Sequence, residues 1–586
     1  MYAQFKPTRD GDYNAYICKS YRTKKGGTSS ETVEKLGLLS KIAREHPDMD
    51  PRDWVRERAS MLTEQEKKET ATVSVKLSAK RRIPKGKGRS FHGGDLFLMP
   101  FYHKLEIDRI CGEISRRYKF KFNLDDIFSK LIYGRILFPD SKRATYNAAK
   151  SFIDTPRFEL EDVYKSLSIL AKESDFIQSA LYRNSRKTGK RDTRVIYYDC
   201  TNYYFEIEQE DELRKYGHSK EHRPSPIVQM GMFMDAEGLP LAFCVNPGNA
   251  AETQTLRPLE EKLADNFSLS DFVVCTDGGL GCVENRMYNQ TEGRDYITVL
   301  SLKKMRPHLQ DWVLDPEEEW FYAGCKEGIT LKGAYEKFDR ETLKTMTFYR
   351  DRWTNEEYKL SNGQKVRLEE HLIVTYSPRY AMYQRQKRDE QIARARLRIE
   401  RGEGSQPKSP NDCRRLIKSV SVTEQGELAE IRECKLDTEK IRSEERFDGF
   451  YAYGTSLNDE PLHVLKANSF RADIEALFRV TKTNMELRPI YLSDPEHIKG
   501  HFIMCFTALL ILKQLQFSLG TRCSVDQLCD TLREIKFLYH DAYGYEPDFT
   551  PSDITDELQR NAKILIDTEI VPKATMRRFI RSLKKR

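Results

Sequence analysis

The chain has 586 residues and a mass of 68.6 kDa, too long for one compact core and long enough for several domains of roughly 100–200 residues. Its 98 basic and 90 acidic residues leave a formal charge of +8, so net charge alone does not identify a polyanionic partner. The 12 cysteines form no C-x-x-C pair and no Cys/His cluster with zinc spacing, which argues against structural zinc and a disulfide framework and for reduced thiols.

The N-terminus has no apolar signal core, and a cytoplasmic protein is expected. Residues 1 to about 40 alternate in strand fashion around Lys24, Lys25, Gly26 and Gly27, which predicts a small hairpin unit. Asp50 is placed to cap a helix whose first residue is Pro51. Lys76 to Arg89 then carries seven basic residues (Lys76, Lys80, Arg81, Arg82, Lys85, Lys87, Arg89) and no acid. Residues 1–95 are therefore expected to form a hairpin and helix unit with a basic linker. From residue 96 to 190 the pattern is helical. Asn123 is a cap candidate ahead of Leu124, Ile127, Phe128, Leu131 and Ile132, and Val163, Leu167 and Leu170 repeat the spacing. Such a stack of short helices either reads DNA or only packs as a bundle.

From Arg194 the period changes. RVIYYD, IVQMGMFMD and LPLAFCV read as three strands, Asn249 to Ala264 as a helix, DFVVCTD as a fourth strand, Cys282 to Tyr288 as a helix and DYITVL as a fifth strand. Three strands on hairpin-length turns followed by alternating helix and strand describe an α/β mixed sheet with helices on its faces, as in an RNase H-like core whose first part is 191–316. Residues 317–465 read as a β-rich insertion (EEWFYAGC, GITLKGAYEKF, MTFYRDRW, EHLIVTYS). It contains a solvated helix, Arg379 to Arg401, with eight basic residues against Asp389, Glu390 and Glu400, and a polar linker, GEGSQPKSPND. Helical periodicity resumes near Ser469, giving a second core part at 466–540 that holds the longest apolar run, the 11 residues Phe502 to Leu512, read as a buried helix and not a membrane span. A basic C-terminal tail, 541–586, ends with seven cations (Lys573, Arg577, Arg578, Arg581, Lys584, Lys585, Arg586) and no acid between Lys573 and Arg586. Three cationic segments, two without acids, favour contact with a phosphate backbone.

Within this frame the stretch VIYYDCTNYYF puts a lone carboxylate, Asp199, where an apolar strand is expected to stop. Such an Asp is most often a turn former. The fourth strand also ends on a carboxylate, Asp277 in VVCTDGGLG, 78 residues later. The first and fourth strands of such a sheet are neighbours, so the two carboxylates are expected to face each other, where a divalent cation such as Mg²⁺ would relieve their repulsion. Two metal ions about 3.5–4 Å apart activate a hydroxyl and stabilise the leaving oxygen of a phosphodiester. A further acid is required. Glu475 in SFRADIEALFRVTKTNMELR has Arg471 four residues before it and Lys482 seven after, all near one helical face, a metal ligand flanked by phosphate-binding cations. The alternative is an ordinary i, i+4 ion pair between Arg471 and Glu475. His218 and His222 read as loop residues near the site, not ligands, and Trp320 and Trp353 as core residues before base-stacking ones.

Asp199 in YDCTNYYFE, Asp277 in CTDGGL and Arg471, Glu475 and Lys482 in R-x₃-E-x₆-K resemble the catalytic motifs of DDE transposases of bacterial insertion sequences, specifically the insertion-sequence-four group. YGHSKEHRPSPIVQMGMFMDAEGLPL, NPGNAAETQTL and FDGFYAYGTS are also similar to that group, and the 198-residue separation of Asp277 and Glu475 fits its β insertion. One position departs: the signature Tyr falls at Asn468, with Phe470 the nearest aromatic. The resemblance implies cut-and-paste transposition by a nucleoid-associated bacterial protein. Asp199, Asp277 and Glu475 would be the catalytic residues and ligands of two Mg²⁺ ions, with Mn²⁺ as a substitute; Arg471 and Lys482 would bind DNA. The implied partners are double-stranded DNA, as terminal inverted repeats and target, and a second copy of the chain in a synaptic complex, with no membrane. A catalytically silent DNA-binding derivative and an RNase H-like nuclease or resolvase are the alternatives.

Overall fold

The computed structural model describes residues 1–8, 10–22, 28–69, 82, 84–86, 88–401, 407, 409, 411–421, 432–520 and 523–585. They group into two compact units, Met1–Lys87 with Asp541–Tyr543, and Gly88–His540 with Gly544–Arg586.

The first unit is built on a three-stranded antiparallel sheet, Tyr2–Pro7, Tyr13–Arg22 and Thr28–Leu38, so a third strand extends the expected hairpin. The turn residues Lys24 to Gly27 lie outside the described residues, as do Lys76, Lys80, Arg81 and Lys87 of the basic linker. Asp50 caps the helix Pro51–Glu69 as expected: its Oδ1 accepts from Arg52 N at 2.8 Å. Ala15, Leu39, Ile42 and Val55 form its small core.

Among the described residues the second unit has a two-stranded and a three-stranded sheet and is built on a sheet of ten strands. The strands are β1 (Val195–Tyr204), β2 (Ile227–Asp235), β3 (Pro240–Pro247), β4 (Val273–Thr276), β5 (Asp295–Leu300), β6 (Trp320–Tyr322), β7 (Cys325–Ile329), β8 (Phe348–Lys359), β9 (Lys365–Tyr376) and β10 (Phe450–Thr455). Their order is β7-β6-β8-β9-β10-β5-β4-β1-β2-β3. β4 runs parallel to β1 and to β5, and the other neighbours are antiparallel. The principal helices are α1 (Leu124–Leu137), α2 (Leu160–Lys172), α3 (Ser174–Thr188), α4 (Glu252–Phe267), α5 (Val283–Thr291), α6 (Pro378–Glu400), α7 (Pro461–Ser469), α8 (Ala472–Thr483) and α9 (Pro495–Ser518). Asn123 caps α1 through Asp126 N, as its position predicted.

Both faces of β1 are covered, which explains why its sequence is an apolar run and not an alternation. Ile196, Tyr198 and Cys200 join Leu256, Leu259 and Leu263 of α4 in one cluster. Tyr197 and Tyr203 join Ile474, Leu477 and Phe478 of α8 and the apolar side chains of α9 in the other. α9 is long and apolar enough to cross a membrane by length and composition alone, but 83% of its most apolar window is buried inside the unit. It packs against α1, α2, α3 and β3. Gly500 permits the approach to α2, since a Cβ there would stand 2.1 Å from the Leu167 carbonyl oxygen.

The insertion is not a separate β layer. Through β10, paired with β5, its strands prolong the core sheet. Leu302, Trp320, Phe348, Leu372 and Val374 give this extension its own core, and helices Leu331–Lys337, Arg340–Thr345 and α6 accompany it. Nor are residues 541–586 a tail. Helices Asp553–Ala562 and Lys573–Leu583 bury Leu558, Ala562, Met576 and Leu583 in the main core. Met576, Phe579, Ile580 and Leu583 recur at helical spacing beneath the basic residues, an amphipathic stripe that the charge count obscures.

Candidate functional site

β1 does not stop at Asp199. It runs on to Tyr204, with Asp199 opposite Met232 of β2, because the antiparallel partner continues past that point. What stops there is the parallel neighbour. The β1–β4 register pairs Val195 with Val273, Ile196 with Val274 and Tyr197 with Cys275. Each pair is offset by 78 residues, the separation of Asp199 and Asp277. The two acids therefore hold equivalent positions two residues beyond Tyr197 and Cys275, where parallel strands lie about 4.8 Å apart. Successive side chains alternate faces, so Asp199 shares its face with Tyr197 and Tyr203, the side covered by α8.

The electrostatics agree with this juxtaposition. Burial pushes the Asp199 carboxyl up to about 6, and Asp277 and Glu252 add to the shift; Lys220 and the Cys200 N–H, which donates to Asp199 Oδ1 at 2.8 Å, oppose it. Asp277 closes its own turn, its Oδ1 accepting from Gly279 N and Leu280 N, each at 3.0 Å. The close approach of this turn to β5 requires Gly281, where a Cβ would stand 1.9 Å from Thr298 Oγ1. Thr298 in turn donates to the Asp277 carbonyl at 3.2 Å.

Helix α8 is tied to β1 by Tyr203 and Thr481, whose hydroxyls lie 2.8 Å apart. The end of α7, just before it, is tied to β1 and β4: Tyr197 donates to the Ala467 carbonyl at 2.9 Å, and the Cys275 thiol to Asn468 Oδ1 at 3.6 Å. Asn468, the residue at the signature Tyr position, thus touches the strand that leads into Asp277. Lys482 lies in the same charge cluster as Asp199. Burial and neighbouring Lys220 draw its ammonium down to about 8 while Asp199 resists the change. Glu475 is exposed and its Oε1 lies 3.3 Å from Arg471 Nη1, the i, i+4 pair that helical spacing allows. Among the described residues no group of three or more His, Cys, Asp or Glu side chains is gathered closely enough to hold a metal ion. The structure therefore brings Asp199, Asp277 and Lys482 together and leaves Glu475 and Arg471 paired at the start of α8.

Four participants escaped the sequence reading. Lys220 donates to the Cys200 carbonyl and lies 3.3 Å from Glu252; burial disfavours its charge, but Asp199 and Glu252 hold its pKa above the ordinary lysine value. Glu221 joins Arg488 to Lys482, the latter at 3.8 Å. The segment YGHSKEHRP contains both Lys220 and Glu221, and only folding carries it over β1: Asn202 Nδ2 donates to the His218 carbonyl at 3.1 Å.

A carboxyl protonated more readily in the folded than in the unfolded chain makes stability fall with rising pH. The Asp199 contribution is complete below about pH 4 and lost as pH passes through about 6. In metal-free buffer, Asp199→Asn is therefore expected to melt like wild type near pH 4 and to be more stable by on the order of 2 kcal/mol at pH 8. Equal melting temperatures at pH 8 would contradict this burial.

Residues 190–511 match the family model described as a transposase DDE domain. No curated protein matches the sequence. Among solved structures, the chain is similar to a piggyBac transposase in a cryo-EM synaptic complex with hairpin DNA, at 10% identity and a TM-score of 0.32, covering 86% of this chain and 88% of that one. With more than half of its length matched by the family model, and with Asp199 of β1 and Asp277 just beyond β4 both inside the matched span, the chain belongs to the DDE transposase-domain family.

Proposed function

We propose that this chain is a cut-and-paste transposase of the insertion-sequence-four group, acting in the bacterial cytoplasm on terminal inverted repeats and joining the freed 3′-hydroxyls to target DNA. The single observation that carries this reading is the shared 78-residue offset that sets Asp199 and Asp277 side by side beyond the parallel pairing of β1 and β4. The order β3-β2-β1-β4-β5, with one antiparallel meander and two parallel pairs, supports an RNase H-like core.

The donor set suits hard divalent cations, because two neighbouring carboxylates, one of them buried, gain most from a positive charge between them. Asp199 and Asp277, joined by Glu475, would hold the Mg²⁺ or Mn²⁺ ions. When bound, such ions activate a water or hydroxyl and neutralise charge on the leaving oxygen. The chain's own work is positioning. Lys482 and Arg471, on α8 and at its start, receive phosphate oxygens near the scissile bond, and Lys220 favours the ionised form of Asp199. For Glu475 to join the pair, its contact with Arg471 must open, and phosphate arriving at Arg471 would compete for that guanidinium. Two copies of the chain would hold the two element ends.

The Arg471–Glu475 pair is also what a catalytically silent DNA-binding derivative would show, so the reading is tested by chemistry. Purified protein is incubated with labelled DNA carrying the inverted repeats that flank its own gene, with and without Mg²⁺, beside an RNA–DNA hybrid and a four-way junction. Metal-dependent nicking at the repeat boundary is the expected result. Binding without cleavage selects the silent derivative, and preference for the hybrid or junction selects the nuclease or resolvase.

A further inference from the structure

Helix α1, the helix Lys142–Ala149 and α9 contribute to a cavity of about 300 Å³ lined by Arg135, Lys142, Arg488, His501, Tyr164 and Tyr491. Its charges are buried: Arg135, Lys142 and His501 are each 4% exposed. Lys142 Nζ lies 2.9 Å from His501 Nδ1, within hydrogen-bond reach. Arg135 donates to the carbonyls of Met485 and Asp140, at 3.2 and 2.7 Å, while its Nε has no acceptor. Asp140 and Glu486 also line the cavity, yet among the described residues neither forms an ion pair with Arg135 or Lys142. Burial and the Arg135 charge depress the Lys142 pKa well below its ordinary range, and burial with the Lys142 and Arg135 charges does the same to His501.

Two buried basic side chains without a counter-ion are costly, and an anion offering several acceptor oxygens offsets that cost. Ser141, at the positive end of the helix Lys142–Ala149, lines the same wall. Arg488 connects the cavity with the candidate site, since its partner Glu221 lies beside Lys482 and the nearby Ile490 N–H donates to the Tyr204 carbonyl at 3.4 Å.

We propose that this cavity binds a phosphate group, either free phosphate or a backbone phosphate of DNA lying across the candidate site. Phosphate binding as such stands on the cavity, whereas the DNA source rests on the proposed function.

The test uses the full chain. Wild type, Asp199→Asn, Lys142→Gln and Arg488→Gln are titrated with inorganic phosphate against chloride at equal ionic strength, by calorimetry and thermal melting. Phosphate is expected to bind and stabilise wild type and Asp199→Asn alike, and each cavity variant to lose about tenfold or more in affinity, the scale of one charge-assisted contact. Absence of a phosphate-specific effect in wild type, or undiminished binding in both cavity variants, would overturn the assignment. If Lys142→Gln does not fold, Arg488→Gln, whose side chain is 26% exposed, carries the comparison. A slope of DNA affinity against salt reduced by about one in the cavity variants assigns the phosphate to DNA. An unchanged slope with phosphate affinity lost assigns it to a free anion. Because Asp199→Asn retains this pocket, failure of cleavage and failure of phosphate binding are read separately.

Discussion

Asp199→Asn is expected to abolish Mg²⁺-dependent strand cleavage, by about a thousandfold or more, while DNA affinity changes little. The magnitude follows from the several kcal/mol that metal activation of a nucleophile contributes, at 1.36 kcal/mol per tenfold in rate. An amide keeps the shape of the carboxyl and can accept from the Cys200 N–H as the native side chain does, so the register of β1 is undisturbed. It removes the negative charge that makes the Asp199–Asp277 pair a cation site. Affinity persists because the cations of α8 and the exposed arginines of α6, Arg379, Arg385, Arg394 and Arg396, are untouched. Nicking rates and gel-shift titrations of the two proteins on the same labelled repeat measure both quantities. Cleavage retained by the variant would remove Asp199 from the chemistry, and with it the transposase reading of the site.

Glu370→Ala should be the most destabilising of the substitutions considered, costing about 3–5 kcal/mol. Glu370 of β9 pairs with Arg286 of α5, with side-chain exposures of 3% and 7%, and accepts from the Tyr296 hydroxyl at 2.9 Å. Removing it strands a buried guanidinium whose Nε already lacks an acceptor. The contact joins the insertion to the helix that follows the Asp277 turn, so a loosened α5 is expected to reduce cleavage as well. Urea denaturation of wild type, Glu370→Ala and the double variant Arg286→Met/Glu370→Leu checks the mechanism, because the double variant removes the uncompensated charge and should recover most of the loss. A loss below about 1 kcal/mol in Glu370→Ala would show that the pair is dispensable.

The strands around the site were legible because their signals are local. VIYYDCTNYYF, IVQMGMFMD and LPLAFCV are β-branched and aromatic runs bounded by turns, and each forms a strand. The 78-residue spacing of Asp199 and Asp277 became meaningful once those strands were ordered. The end of β1 was misjudged because a carboxylate inside a run resembles a terminator, whereas the continuing ladder to β2 holds it in the strand. The basic C-terminal segment was misjudged for a related reason: a charge count hides an amphipathic stripe, and the stripe matters only once a core is present to receive it.

Composition and periodicity alone carried the α/β class and the core strands that flank the site, because apolar spacing and strand length act over a few residues and are written contiguously. Tertiary structure decided the rest. Pairing of β10 with β5 makes the insertion a continuation of the core sheet; closure of the loop after β1 brings Lys220 to Asp199 and Glu221 to Lys482; and the packing of α9 beside α1 sets His501 against Lys142. Each joins residues far apart in the chain, where local propensity is silent and the outcome rests on which apolar faces can be buried together and which charges that burial leaves side by side.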